Sequence, residues 1–157
     1  MKASVYLETS VVSYLTARVS RDVVMAGHQA STVEWWDNHR RKFDLLISRL
    51  VLDEASEGDP EAVKRRLKIL KPLRLLQIKK EAAGLAKALV HDGGFPQNAE
   101  DDAMHVALAT THGMDFLLTW NFTHIANAAT EATVRQTCEE QGFHLPVICT
   151  PDELMQI

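Results

Sequence analysis

The sequence predicts an α/β fold: a three-layer α/β/α sandwich around a short-stranded, mainly parallel sheet of about five strands. Three observations carry that expectation. Short β-prone runs at 4–7, 43–48, 73–78, 115–119 and 147–148 are each separated by helix-compatible segments. The strand–helix alternation implies parallel pairing with right-handed crossovers. Helix punctuation recurs between the runs, as at Gly58-Asp59-Pro60, where Asp59 fits an N-cap and Pro60 the first helical position.

The bulk numbers fit one domain spanning residues 1–157. That length can bury a core, and 46% hydrophobic with 24% charged residues is ordinary for a globular chain. A net charge of −4 excludes a chain that is basic all over, though not a local basic groove. Cys138 and Cys149 give neither a disulfide framework nor a metal spacing, and read as buried free thiols in a reducing compartment. No apolar run has the length of a membrane span, and the first residues run into a strand without the shape of a signal peptide. The expectation is a cytoplasmic protein with no membrane association.

In chain order, Ser4-Val5-Tyr6-Leu7 ends on Glu8, and Thr9 or Ser10 can cap the short helix that follows. Residues 21–42 read as one long helix with Val24, His28, Ser31 and Trp35 on one face. Its aromatic-then-basic end, Trp35-Trp36 followed by His39-Arg40-Arg41-Lys42, reads as a buried Trp and a solvated last turn favoured by the helix dipole. The sharper alternative makes Arg40, Arg41 and Lys42 a phosphate-contacting rim. A helix from about Ser48 puts Glu54 on or beside its apolar stripe, with Asp53 and Glu57 as acidic neighbours. Residues 79–91 form a further helix ended by Gly93-Gly94.

Residues 98–125 carry the most chemistry. An acidic cluster opens a helix at 98–112, a glycine-containing turn follows, and Phe116-Leu117-Leu118-Thr119 ends on Trp120-Asn121. Asn98 and Asp101 have capping-box spacing, and helical phase alone leaves Asp101 and Asp102 equal as inward acids. His105, on the Asp102 face, reads as a packed, hydrogen-bonded histidine rather than a general base, and His124 as structural or phosphate-contacting. A helix near 129–141 and a terminal turn at Thr150-Pro151-Asp152-Glu153-Leu154 complete the chain.

Glu8 thus ends the first strand, Glu54 follows the second, Asp101 or Asp102 opens the helix before the fourth, and Asn121 ends the fourth. Polar groups at the C-terminal ends of parallel strands are where such folds build sites. No Gly-rich phosphate loop follows the first strand, no serine sits in a nucleophile elbow, and the seven histidines lack a zinc spacing. Carboxylates without histidine ligands suit hard cations such as Mg²⁺ or Mn²⁺ and suggest metal-assisted phosphodiester hydrolysis.

At these residues the chain resembles PIN domains, specifically those grouped with the VapC-type toxins of type II toxin–antitoxin systems. The carriers are Tyr6-Leu7-Glu8-Thr9-Ser10-Val11-Val12, Leu52-Asp53-Glu54-Ala55 with Gly58-Asp59-Pro60, and Asp102-Ala103-Met104-His105-Val106-Ala107. Leu117-Leu118-Thr119-Trp120-Asn121-Phe122 and Cys149-Thr150-Pro151-Asp152-Glu153-Leu154 extend the likeness nearly end to end. The resemblance implies a PIN-like fold and an acidic pocket that binds Mg²⁺ or Mn²⁺ and cleaves RNA. Glu8, Glu54 and Asp102 would hold metal, Asn121 would assist, and Ser10 and Thr119 would support the pocket. It selects Asp102 over Asp101. It also implies a small antitoxin as partner and a homodimer. Two positions depart from the family: Glu8 is one methylene longer than the usual Asp, and Asn121 keeps an oxygen but drops a charge. They sustain an alternative expectation, a PIN domain without strong nuclease activity that binds protein or RNA.

Overall fold

The computed structural model describes residues 1–92 and 94–157. Five short parallel strands form its centre: β1 (Ala3–Leu7), β2 (Phe43–Ser48), β3 (Arg74–Leu76), β4 (Phe116–Leu118) and β5 (Val147–Cys149). They lie in the order β3-β2-β1-β4-β5. The first strand is therefore the middle one. Val5 pairs with Leu45 on one side and Phe116 on the other. A strand flanked on both edges and covered on both faces is mostly apolar, and Val5, Tyr6 and Leu7 are fully buried.

Helices cover both faces. On one side α1 (Thr9–Thr16) packs on α2 (Val23–Asn38), α3 (Arg49–Ala55) and α4 (Pro60–Leu70), with α8 (Pro151–Leu154) against α2. On the other, α5 (Lys80–Asp92) packs on α6 (Glu100–Thr111) and α7 (Glu131–Glu140). The α/β class, parallel pairing and three layers are as the sequence predicts.

Local chemistry sets the boundaries. Asp59 accepts from the Ala62 amide at 3.0 Å, with Pro60 in the first turn of α4. Ser48 caps α3 through the Val51 amide at 3.4 Å. Thr150 and Glu153 form a capping box on α8. The expected stop at Gly93 lies outside the described residues, while Gly94 has φ +89°, a conformation that suits glycine.

Several local expectations change. The helix expected at 21–42 stops at Asn38, and Arg40–Lys42 forms a separate 3₁₀ turn. Its buried side is Gln29, Thr32 and Trp35, whereas Val24 points to solvent at 66% exposure. Hydrophobic residues are scattered round this helix, so periodicity cannot choose a face. Thr9 and Ser10 do not cap α1; Glu8 holds the N-cap position without a side-chain cap. Asn98 does not cap α6 either, since Ala99 is its N-cap and no side-chain cap bond forms. Cys138 and Cys149 are buried and free; burial pushes both thiols up, Cys149 to about 12. Among the described residues no helix is long and apolar enough to cross a membrane.

Candidate functional site

The site lies at the C-terminal edge of the central strands. Glu8 follows β1 directly, and its amide continues the ladder by donating to Leu118 O at 3.1 Å. That bond fixes the backbone and leaves the side chain as the variable part. Glu8 as a residue is only 5% exposed. Its Oε1 accepts from the Thr119 hydroxyl at 2.6 Å and from the Ser10 hydroxyl. Ser10 also accepts from the Trp120 amide at 2.8 Å, and Thr119 Oγ1 from the Asn121 amide at 2.9 Å. The two hydroxyls therefore tie the start of α1 to the end of β4 through one carboxylate. That gives Ser10 and Thr119 a definite structural role beside Glu8.

Glu54 arrives from α3. Its Oε1 accepts from Thr9 Oγ1 at 2.5 Å and from His105 Nε2 at 2.6 Å. His105 is fully buried on α6, and its Nδ1 lies 2.7 Å from the Tyr6 hydroxyl, itself 2.7 Å from Ser48 Oγ. A chain of hydrogen bonds thus runs from Ser48 under the sheet edge through Tyr6 and His105 to Glu54. Burial penalises the Glu54 carboxylate, but the His105 hydrogen bond and charge, with the Thr9 hydroxyl, outweigh it and hold its pKa below the usual range. Burial likewise opposes a charged His105. The Glu54 hydrogen bond and the charges of Glu8, Glu54 and Asp102 overcome it and raise its pKa. Burial also raises the Tyr6 phenol, so Tyr6 stays neutral.

Glu8, Glu54 and His105 each place one potential ligand atom within 4.8 Å of the others. His105 Nε2 is engaged by Glu54, so the available donors are carboxylate oxygens. Among the described residues every hydrogen bond to the Glu8 and Glu54 carboxylates falls on Oε1, and none reaches Oε2. Glu8 also has no cationic partner there. Two carboxylates held by hydroxyls and an imidazole, each with an open oxygen, suit a hard divalent cation.

Asp102 stands apart from this tight group. Its Oδ2 accepts from His124 Nδ1 at 2.8 Å, while its charge still reaches His105. Asn121 is not aimed at the group as a ligand: its Oδ1 accepts from the His124 amide at 3.0 Å and shapes the loop. The assisting residue expected at Asn121 thus belongs to a turn that presents His124 to Asp102. Asp101, the alternative acid, is exposed and lines a separate cleft of about 690 Å³ between α3, α5 and α6, along with Asp53 and Glu100.

Arg40, Arg41 and Lys42 are not brought to the site. They precede β2, whose Phe43 pairs with Ala3, so they lie at the opposite end of the strands from Glu8. The separation along β1 is roughly 16 Å at ordinary strand rise. Arg40 instead covers the Trp36 ring at 4.8 Å and donates to its carbonyl at 2.5 Å. The strand polarity was readable beforehand: the triplet precedes a strand, whereas Glu8, Glu54 and Asn121 follow one.

Tyr6 and Ser48 are the site residues that the sequence reasoning passed over. Tyr6 sits between Val5 and Leu7 in the buried part of β1, where a buried hydroxyl requires a partner, and that requirement was the available signal. The chain matches no model of a known protein family and no curated protein.

Proposed function

We propose that this protein is a Mg²⁺- or Mn²⁺-dependent endoribonuclease of the PIN kind, acting in the cytoplasm as the toxin of a toxin–antitoxin pair. The observation that supports it most is the convergence of Glu8 and Glu54 at the sheet edge, each with Oε2 open. The motif resemblance supports the RNA substrate, the small antitoxin and the homodimer.

Glu8 and Glu54 would hold the cation through their open oxygens, and Asp102 would join them by exchanging His124 for it. A bound cation would supply Lewis acidity, activating water and stabilising the leaving oxygen of a phosphodiester. The chain's own residues do the positioning. Ser10 and Thr119 fix Glu8, while Thr9 and His105 fix Glu54. Asn121 shapes the loop that places His124 against Asp102. The arrangement is acidic, so RNA approaches only when a cation offsets the charge.

The test is cleavage of a mixed RNA substrate with Mn²⁺. Asp102→Asn and Glu54→Gln should each lower the rate by at least about 100-fold, and excess chelator should abolish it. Cleavage that survives both variants or the chelator would sink the proposal. The second reading, a PIN-like binding module, draws on one specific observation: Asn121 Oδ1 is spent on the loop and Asp102 on His124. RNA or protein binding without cleavage at any Mn²⁺ concentration would favour it.

A further inference from the structure

Beside the carboxylates lies an aromatic shelf that the chemistry above does not use. Tyr14 of α1, His28 of α2 and Trp120 after β4 are stacked: Trp120 lies 5.7 Å from Tyr14 at 10° and 4.2 Å from His28 at 18°. Trp120 is locked in place, since its Nε1 donates to the buried Thr32 Oγ1 at 2.8 Å. Phe122 closes the group, 6.1 Å from Trp120 at 73° and 5.9 Å from His28 at 58°. Its amide donates to Trp120 O at 3.0 Å, which fixes the backbone as well. Yet Phe122 is 49% exposed, and it is the one Phe, Tyr or Trp ring in the exposed class among the described residues.

The shelf abuts the site through short covalent and hydrogen-bonded links. The Trp120 amide donates to Ser10 Oγ, and Ser10 in turn donates to Glu8. Phe122 follows Asn121 directly and stands two residues before His124, the partner of Asp102. An exposed ring supported by two others, themselves stacked on Tyr14, loses little freedom when a flat ligand stacks on it. A flat partner with a phosphate attached is the ligand chemistry that combines a π face with a group drawn to a cation on the neighbouring carboxylates, should they hold one.

We propose that Phe122, backed by His28 and Trp120, is a stacking subsite for one unpaired nucleobase of a single-stranded substrate. This rests on the nuclease reading for its choice of ligand and deepens it: paired bases present no free face, so the subsite selects unpaired RNA. Because every base has a π face, the shelf supplies affinity and strand selection rather than a sequence code.

The test is fluorescence anisotropy with a short fluorescein-labelled single strand of RNA, its duplex, and the same strand carrying abasic sites. Ca²⁺ replaces Mn²⁺ so that the strand stays intact. Wild type should prefer the intact single strand. Phe122→Leu, which keeps apolar volume but removes the π face, should bind it roughly 5- to 150-fold more weakly. Phe122→Tyr should restore binding, and abasic sites should weaken wild type but not Phe122→Leu. Equal binding by wild type and Phe122→Leu overturns the proposal and marks the ring as a protein contact. Failure of wild type to bind the single strand also overturns it. A parallel Mn²⁺ cleavage assay separates the two readings. Cleavage with no Phe122 effect removes the subsite alone, and Phe122-dependent binding without cleavage removes the nuclease alone.

Discussion

His105 is the residue on which the geometry around Glu54 depends most. It is buried, has a partner on each nitrogen, and supports one carboxylate of the open pair. His105→Gln should destabilise the protein by about 1–3 kcal/mol, because it breaks that pairing and disturbs the Tyr6 hydroxyl. Tyr6→Phe should cost less, since Ser48 can still bond the Val51 amide. The pair also predicts a pH dependence in metal-free protein. The folded pKa of Glu54 lies below its ordinary 4.5, so its stabilisation is present above 4.5 and is lost as pH falls through the lowered value. The folded pKa of His105 lies above 6.5, so its stabilisation is complete below 6.5 and is lost as pH rises through the raised value. The windows overlap between 4.5 and 6.5, where the difference in melting temperature between wild type and His105→Gln should be largest. A difference that is flat with pH in chelator would contradict the pairing. From the sequence, His105 was legible as a packed, hydrogen-bonded side chain. Its partners were not, because Tyr6 and Glu54 are 99 and 51 positions away and nothing local encodes the meeting.

At the scale of elements, the acids are placed by the helices and turns that carry them. α3 delivers Glu54 because Ser48 starts it at the strand end and Val51 and Ala55 bury its inner face. α6 turns Asp102 and His105 the same way while Asp101 faces the α3–α5–α6 cleft. These helices were legible, and so were the strand ends, because apolar runs are local signals, although the cap expected at Asn98 did not form. The face of α2 was not, because packing and not periodicity decides it. The side chain of Asn121 was not either: its carboxamide could equally serve a ligand or a turn, and only the path of residues 121–124 decides. Caps away from the pocket should affect stability alone. Asp59→Ala, which removes the α4 cap, should cost about 1 kcal/mol in chemical denaturation. It should leave RNA cleavage unchanged, and a loss of cleavage there would mean that α4 contributes to the site.

For the whole molecule, a cation taken up as proposed between β1, α3 and α6 would bind the native state and not the unfolded chain. Mn²⁺ at a hundredfold excess over its dissociation constant should add about 2.7 kcal/mol. For a domain of this size that is a rise of roughly 5–10 °C in melting temperature. Glu54→Gln should abolish most of the rise, and an equal shift in that variant would place the cation elsewhere. The class, layers and strand order of travel were legible here, whereas the spatial order was not, because alternation alone does not say which strand lies in the middle. That central position of β1 has a consequence in time. Thr119 reaches Glu8 across 111 positions, and β4 must dock on β1 before it can. Pairings over such distances carry a large loop-closure cost and form late. A growing chain that has not yet produced β4 has its first strand half-paired and Glu8 without either Thr119 or the Leu118 carbonyl. The pocket is therefore absent from every precursor that ends before Thr119, and any activity it supports switches on only after β4 has emerged and docked on β1.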